Sequence, residues 1–479
     1  MRKLSDQIRM STKERLLIAL GLVLALIIGV VAVLNENYAI TFVPIMLLAF
    51  VIYLILVFRD PFFGLVILII YCFVLFFFYR EIGHLPYGVG IEFFLLMTWL
   101  SVWYNADKLN FSLLNTNLTW LYMGWLALCI LQLFNPAGGS PRGWLAEIRG
   151  MGIYPVAISG LGLLLINSKE RISQILKLLL TISFLGALYG MKQKYIGLSA
   201  GDRQFVEDFP THLIWGQLRV FSFYIDAGQY GASMAVFVVV ALVLAVGLKN
   251  TKIKLALLAS VPLFGIAMLI SGTRGAFFAL IAGGGFALLL TKKFKILLAG
   301  CVILGLFVGF LKFTTIGSGN YAIFRFRSAL DPKDASLNLR FINQKKLADY
   351  LSSHPFGGGL GVIGAFGHEY NADQYLSTIE PDSYWVKVWA QTGIVGFTLW
   401  FCMIMYLLGK GLGITWGIRD PNLKVKLIAL NAGIAGIFAC SYGNEVINNM
   451  PSNIFVNLAF AMVFNAAALE NAVRNNKTE

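Results

Sequence analysis

Apolar residues fall in long runs along the chain, separated by short polar breaks. The runs lie near 16–34, 38–58, 62–79, 89–104, 117–134, 151–166, 172–191, 229–247, 255–271, 275–290, 296–311, 384–407, 427–443 and 453–468. A helix needs about 20 such residues to cross a bilayer. Several runs are short enough to tilt or re-enter, so the pattern predicts twelve to fourteen transmembrane helices in an all-α polytopic membrane protein. The first run follows Lys13-Glu14-Arg15 and has too many successors to read as a cleaved signal peptide. One segment breaks the pattern: 312–383 contains no apolar run of membrane length. Polar irregular backbone is excluded from hydrocarbon. This island is therefore expected to be an extracytoplasmic loop insertion, lying as a lid over the active site of a single integral domain, 1–479. Within it, 340–352 has helical propensity and a rough apolar stripe of Leu347, Ala348, Tyr350 and Leu351, which Pro355 and the following glycines end.

Composition agrees with the pattern. Mean hydropathy is +0.75, and only 13% of residues are charged against 58% hydrophobic, which excludes an ordinary soluble domain. A net charge of +14 raises the question of a nucleic-acid ligand. With the N-terminus in the cytoplasm and the runs alternating, the inward segments hold 22 of the 38 Lys/Arg and 8 of the 24 Asp/Glu, and so carry the whole excess. That is the positive-inside bias of a membrane protein; no nucleic-acid partner is implied. Both termini then lie in the cytoplasm. Clusters such as Lys249-Asn-Thr-Lys252-Ile-Lys254 read as topology anchors. All five cysteines (Cys72, Cys129, Cys301, Cys402, Cys440) lie in apolar runs and read as small core residues. The four histidines, His84, His212, His354 and His368, lack ligand spacing, so no metal site and no cofactor are expected.

The same count places the island outside, together with 135–150, 192–228 and the tight turn Ser271-Gly272-Thr273-Arg274-Gly275. Arginines there run against the positive-inside bias and need another cause. Arg149, Arg219, Arg274 and Arg340 all sit beside span ends or a helix start. Guanidinium groups grip phosphate oxygens in pairs and stay charged, so a converging set would bind the diphosphate of a lipid carrier. The alternative is pairing with headgroups or with Glu147, Asp226 and Asp331. The run His354-Pro355-Phe356-Gly357-Gly358-Gly359-Leu360-Gly361 places glycine at 357, 359 and 361. It suits an anion nest or a glycan-hugging loop, or merely a flexible turn. Glu380-Pro381-Asp382-Ser383 precedes the span at 384. There a carboxylate such as Asp382 is a general base for a sugar hydroxyl, or Asp382 or Ser383 caps the helix, and the two roles are not exclusive. Glu92 is a further acid inside a span.

Taken in order, these motifs resemble the O-antigen ligase and O-antigen polymerase superfamily over about residues 140 to 410. The resemblance is carried by Arg219-Val-Phe-Ser-Phe-Tyr-Ile-Asp226-Ala-Gly-Gln-Tyr-Gly231 and by Ser271-Gly-Thr-Arg274-Gly. Arg340 with the His354 to Gly361 run and Tyr384-Trp385 leading to Gln391-Thr392-Gly393-Ile394-Val395-Gly396 complete it. It implies a glycosyltransferase of the C-type architecture in the bacterial inner membrane, working at the periplasmic face without metal or nucleotide sugar. The implied donor is a glycan on undecaprenyl diphosphate, and the implied acceptor is a glycan or lipid-linked saccharide. Arg219 and Arg274 would hold the diphosphate, with Arg340 a third. The ligases usually carry His-Asn just before the span that follows the large loop, and here that place reads Asp382-Ser383. Either Asp382 or His368 then acts as base, or the acceptor chemistry differs, and ligase and polymerase both stay open. A flippase or transporter is the competing class. It would carry ionisable groups near span centres and weak repeat symmetry, whereas this chain concentrates polar groups at one face.

Overall fold

In a computed structural model, the structure describes residues 38–83, 86–292, 295, 302, 305–306, 308–310, 312–317, 319, 321–328 and 335–475. The run at 16–34, most of the run at 296–311, and Asp331 and His84 lie outside the described residues. The other predicted runs coincide with helices: α1 (Tyr38–Arg59), α2 (Pro61–Ile82), α3 (Gly88–Tyr104), α4 (Asn117–Leu131), α5 (Pro141–Ile148), α6 (Tyr154–Leu165), α7 (Lys169–Tyr195), α8 (Ala200–Asp208), α9 (Ala227–Gly247), α10 (Thr251–Ile270) and α11 (Gly275–Thr291), then α12 (Tyr321–Ser328), α13 (Ala335–Leu351), α14 (Ala365–Tyr370), α15 (Tyr384–Gly417), α16 (Pro421–Cys440) and α17 (Ser452–Asn475). Among the described residues 9 helical stretches are long and apolar enough to cross a membrane. The protein is an all-α polytopic membrane protein.

The chain forms two compact units. The smaller takes the described part of Met1–Leu68 with Val89–Asn110. In it, Ser101 Oγ donates to the Val57 carbonyl at 2.5 Å and Asn105 Nδ2 to that of Phe58 at 2.9 Å. The larger, Ile69–Gly88 with Phe111–Glu479, contains the candidate arginines, His354, His368, the glycine run and Asp382, whereas Glu92 lies in the smaller unit. At its centre α9 is buried on nearly every face and packs on α10, α11 and α16. Small residues let backbones meet there: a Cβ on Gly436 would lie 2.8 Å from the Ala279 carbonyl oxygen.

Two departures from the expected pattern shape the site. Residues 135–150 are not a loop throughout. Ser140 caps α5 by accepting from Gly143 N at 3.0 Å, and Pro141 supplies a preset first turn. The helix then runs through a π-turn, Arg149–Ile153, into α6. Asn453 Nδ2 satisfies the Gly150 carbonyl in that turn at 3.0 Å. The second departure is a kink in α15 at Gly393, whose φ of 67° and ψ of −171° break the helix. The kink frees the carbonyls of Ala390 and Gln391. Gly358 N and Gly359 N donate to them at 2.9 and 3.0 Å, and Val395 N donates to Pro355 O at 3.3 Å. The glycine run of the island is thus seated in the kink. Gly357, at φ +77°, lies so close that an added Cβ would come within 2.4 Å of Gly393 N. Gly357→Ala combines that clash with an unfavourable φ, so it should cost at least about 2 kcal/mol. A lowered thermal midpoint of the detergent-solubilised protein would register it, and an unchanged midpoint would contradict this packing.

The segment 192–228 folds into α8 and a hairpin of β1 (Leu213–Ile214) and β2 (Gln217–Leu218). It is anchored by a buried ion pair, Arg80 Nε to Asp202 Oδ1 at 3.1 Å. The Arg80 guanidinium also lies against the rings of Phe205 and Phe221 and donates to the carbonyls of Ser222 and Tyr224. The Asp202 carboxylate also accepts from Tyr189 Oη and Gln193 Nε2, both at 2.9 Å.

Candidate active site

The tight turn between α10 and α11 is the focus of three arginines. Thr273 Oγ1 donates to the Ala227 carbonyl at 2.8 Å, which ties the turn to the start of α9. Arg219, arriving from β2, donates through Nη2 to Thr273 Oγ1 at 3.3 Å and through Nη1 to Thr211 O at 3.3 Å. Arg325 of α12 donates from both Nε and Nη2 to the Gly272 carbonyl at 3.3 Å. Arg274 belongs to the turn itself, at the N-cap of α11, half-buried. The α11 N-terminus adds its positive dipole end, while Ala276 N and Phe277 N donate to the Thr273 and Arg274 carbonyls at 3.3 and 3.1 Å. Asp226, one of the acids expected to pair with these arginines, instead caps α9 by accepting from Gln229 N at 2.7 Å. The side chain of Asn444, from the loop between α16 and α17, stands directly over Gly275.

Next along that loop lies a charge cluster the sequence reading missed. Lys387, in the first turn of α15, reaches Glu147 Oε2 at 3.0 Å and Glu445 Oε2 at 3.1 Å. The Lys387 side chain is 6% exposed and that of Glu147 3%, whereas Glu445 keeps 25%. Only Glu445 therefore opens toward solvent. Burial raises its pKa, and the Lys387 ammonium opposes the shift. One cation and two carboxylates tie three segments: the end of α5, the start of α15 and the α16–α17 loop. Arg149 follows Glu147 by two residues, at the first position of the π-turn, with Nε 3.4 Å from Ala146 O. Its charge and that of Arg142 act on Tyr370, whose pKa is nonetheless raised, chiefly by a hydrogen bond to Glu369.

The island supplies the remaining groups. Ser383 caps α15, accepting from Val386 N at 3.4 Å, so capping does not fall to Asp382. Asp382, held at φ +49°, faces Arg340 with Nε to Oδ2 at 3.6 Å, both half-exposed. His368 Nε2 sits 2.7 Å from Glu380 Oε1 in an exposed pair, and Asn343 Nδ2 donates to the Glu380 carbonyl at 3.2 Å. Gly364 lies between this strip and the charge cluster: a Cβ there would be 3.6 Å from both Glu445 Oε1 and Pro381 Cγ. His354 stacks on Tyr350 with ring centroids 4.2 Å apart, and its Nδ1 lies 2.9 Å from the Tyr350 carbonyl. Together with Gly357, Gly359 and Gly361 it joins α13 to the α15 kink; the amides of Gly357, Gly358 and Gly359 all donate to backbone carbonyls. Among the described residues no three His, Cys, Asp or Glu side chains are grouped as metal ligands.

A family model described as O-antigen ligase matches residues 258–401. Over that segment the chain is similar to the O-antigen ligase/polymerase superfamily. Among curated proteins none matches it. The matched segment runs from α10 through the island into α15 and includes Arg274, Arg325, Arg340, His368, Asp382 and Lys387. Arg219, Glu147, Arg149 and Glu445 lie outside that segment and join it through the contacts above.

The match supports a glycan-transferring membrane enzyme in general terms. The turn at Ser271–Gly275 gathers Arg219, Arg274 and Arg325, while Arg340 is placed with Asp382 and Arg149 stands at the π-turn with Nε 3.4 Å from the Ala146 carbonyl. Arg325 carried a signal, since it is an arginine in the island. So did Lys387, a lone charge in the span run 384–407, which is a functional-site pointer by default. Glu445 carried none, because its role exists only through Lys387.

Proposed function

We propose that the protein transfers a glycan from undecaprenyl diphosphate to a sugar hydroxyl at the periplasmic face of a bacterial inner membrane. The reading rests above all on one observation. Arg219 and Arg325 both hydrogen-bond the turn that presents Arg274 and the α11 N-terminus, inside a family of glycan-transferring enzymes. Such a cluster suits a diphosphate at the membrane boundary. In the reaction, the acceptor O–H gives its proton to a base, and its oxygen bonds to the anomeric carbon. The bond from that carbon to the diphosphate oxygen breaks, with inversion. The leaving diphosphate gains charge as it departs, and the guanidinium groups stabilise that charge where it develops.

His368 is our choice for the base. Glu380 holds one ring nitrogen at 2.7 Å and leaves the other to receive the proton. Asp382 has its carboxylate turned to Arg340 instead, a place suited to aligning the lid. The test is purified protein in vesicles with undecaprenyl-diphosphate oligosaccharide, with and without lipid A core. Transfer only with core marks a ligase, chain growth without it a polymerase, and no transfer with either overturns the proposal. In the same assay His368→Ala should slow transfer about 10²–10⁴-fold. Asp382→Asn should cost far less. The reverse order would move the base to Asp382.

A further inference from the structure

At the end of the larger unit opposite the arginine turn, α7, the α9–α10 connection and the start of α16 line a half-open cavity of about 790 Å³. That lies in the usual range for ligand pockets, roughly 300–1,000 Å³. Its walls are apolar, formed by Leu176, Leu180 and Phe184 of α7 facing Leu244, Leu257 and Phe264. Its lining includes Lys177, Lys249 and Lys426, and among the described residues no Asp or Glu lines it. Lys426 is fixed in place, donating to Ser173 Oγ at 2.6 Å. Two nearby acids, Asp420 and Glu170, act on Lys426; Asp420 already pairs with Lys169 at 2.5 Å, which holds its pKa below the usual carboxylate range, and neither acid lines the cavity beside Lys177 and Lys249.

We propose that this cavity binds an anionic phospholipid of the leaflet facing the lysine-rich loops. Its phosphate would sit among the three lysines and its acyl chain along α7 and α10. The occupant follows from charge complementarity. A sleeve of leucine and phenylalanine suits an acyl chain, while three cations with no lining acid call for a negative headgroup. A zwitterionic lipid would leave them without a net counter-charge. The proposed carrier-linked donor does not meet the requirement, because its diphosphate belongs at Arg219 and Arg274. Those residues sit near the other end of α10, a 20-residue helix about 30 Å long. The site does not depend on the proposed reaction.

Titration of the full-length protein in mild detergent with phosphatidylglycerol or phosphatidylcholine, followed by native mass spectrometry, tests this. Phosphatidylglycerol should bind preferentially. Lys177→Gln/Lys249→Gln should weaken it by roughly fivefold per lysine, on the order of 25-fold together, while Lys410→Gln, away from the mouth, changes nothing. Ala256→Trp should fill the cavity and abolish binding, and the lysine pair decides the matter if that variant does not fold. Equal retention of the two lipids, or phosphatidylglycerol binding unmoved by the lysine pair, would overturn the proposal.

Discussion

Arg219→Ala and Arg274→Ala should each lower glycan transfer by roughly 10²–10³-fold, the usual loss when one preorganised donor is removed from a developing anion. The two sites should fail in different ways. Arg219 is anchored through Thr273 and Thr211, so Arg219→Lys keeps the charge and loses the fork that spans both anchors. Arg274 stands at the α11 N-terminus, where helix dipole and guanidinium would act together on the proposed diphosphate. Thr273→Val should cost less than either, because it loosens Arg219 without removing it. A rate measured at saturating donor separates transition-state loss from weakened binding. Wild-type rates for Arg219→Ala and Arg274→Ala together would exclude this turn as the diphosphate site.

The spans were legible because hydrocarbon imposes both length and apolarity, which local composition records. The stretch 135–150 was not, since Pro136, Pro141 and its glycines mimic a loop while Ser140 and Pro141 in fact start a helix. The glycine run was recognised as backbone needing close approach. What it approaches is the Gly393 kink, and that contact joins segments over 30 residues apart. Arg219 and Arg274 could be named as a pair because each lies beside a span end. Arg340 and Asp382 were assigned separate roles, and only the fold shows them facing one another. Pattern reports the environment of each residue, whereas partnership across the chain requires the packed helices.

Lys387 offers the sharpest test of that packing. Lys387→Met would leave Glu147 and Glu445 facing each other with no cation, and breaking a buried pair in this way costs about 3–5 kcal/mol. The thermal midpoint in detergent should drop accordingly at neutral pH. The loss should shrink as pH falls, and the sign follows from Glu445. Its folded-state pKa is raised, so the folded protein holds that proton more tightly than the unfolded chain does. Stability from this group is therefore fully present below the unfolded pKa and is lost as pH rises through the folded one. Without Lys387 that dependence should steepen, because a second carboxylate then opposes ionisation. Glu147→Gln, which leaves Lys387 paired with Glu445, should be much milder, and Lys387→Met/Glu147→Gln/Glu445→Gln should recover most of the midpoint. A Lys387→Met protein that melts like the parent at every pH would mean the cluster does not hold α5, α15 and the α16–α17 loop together.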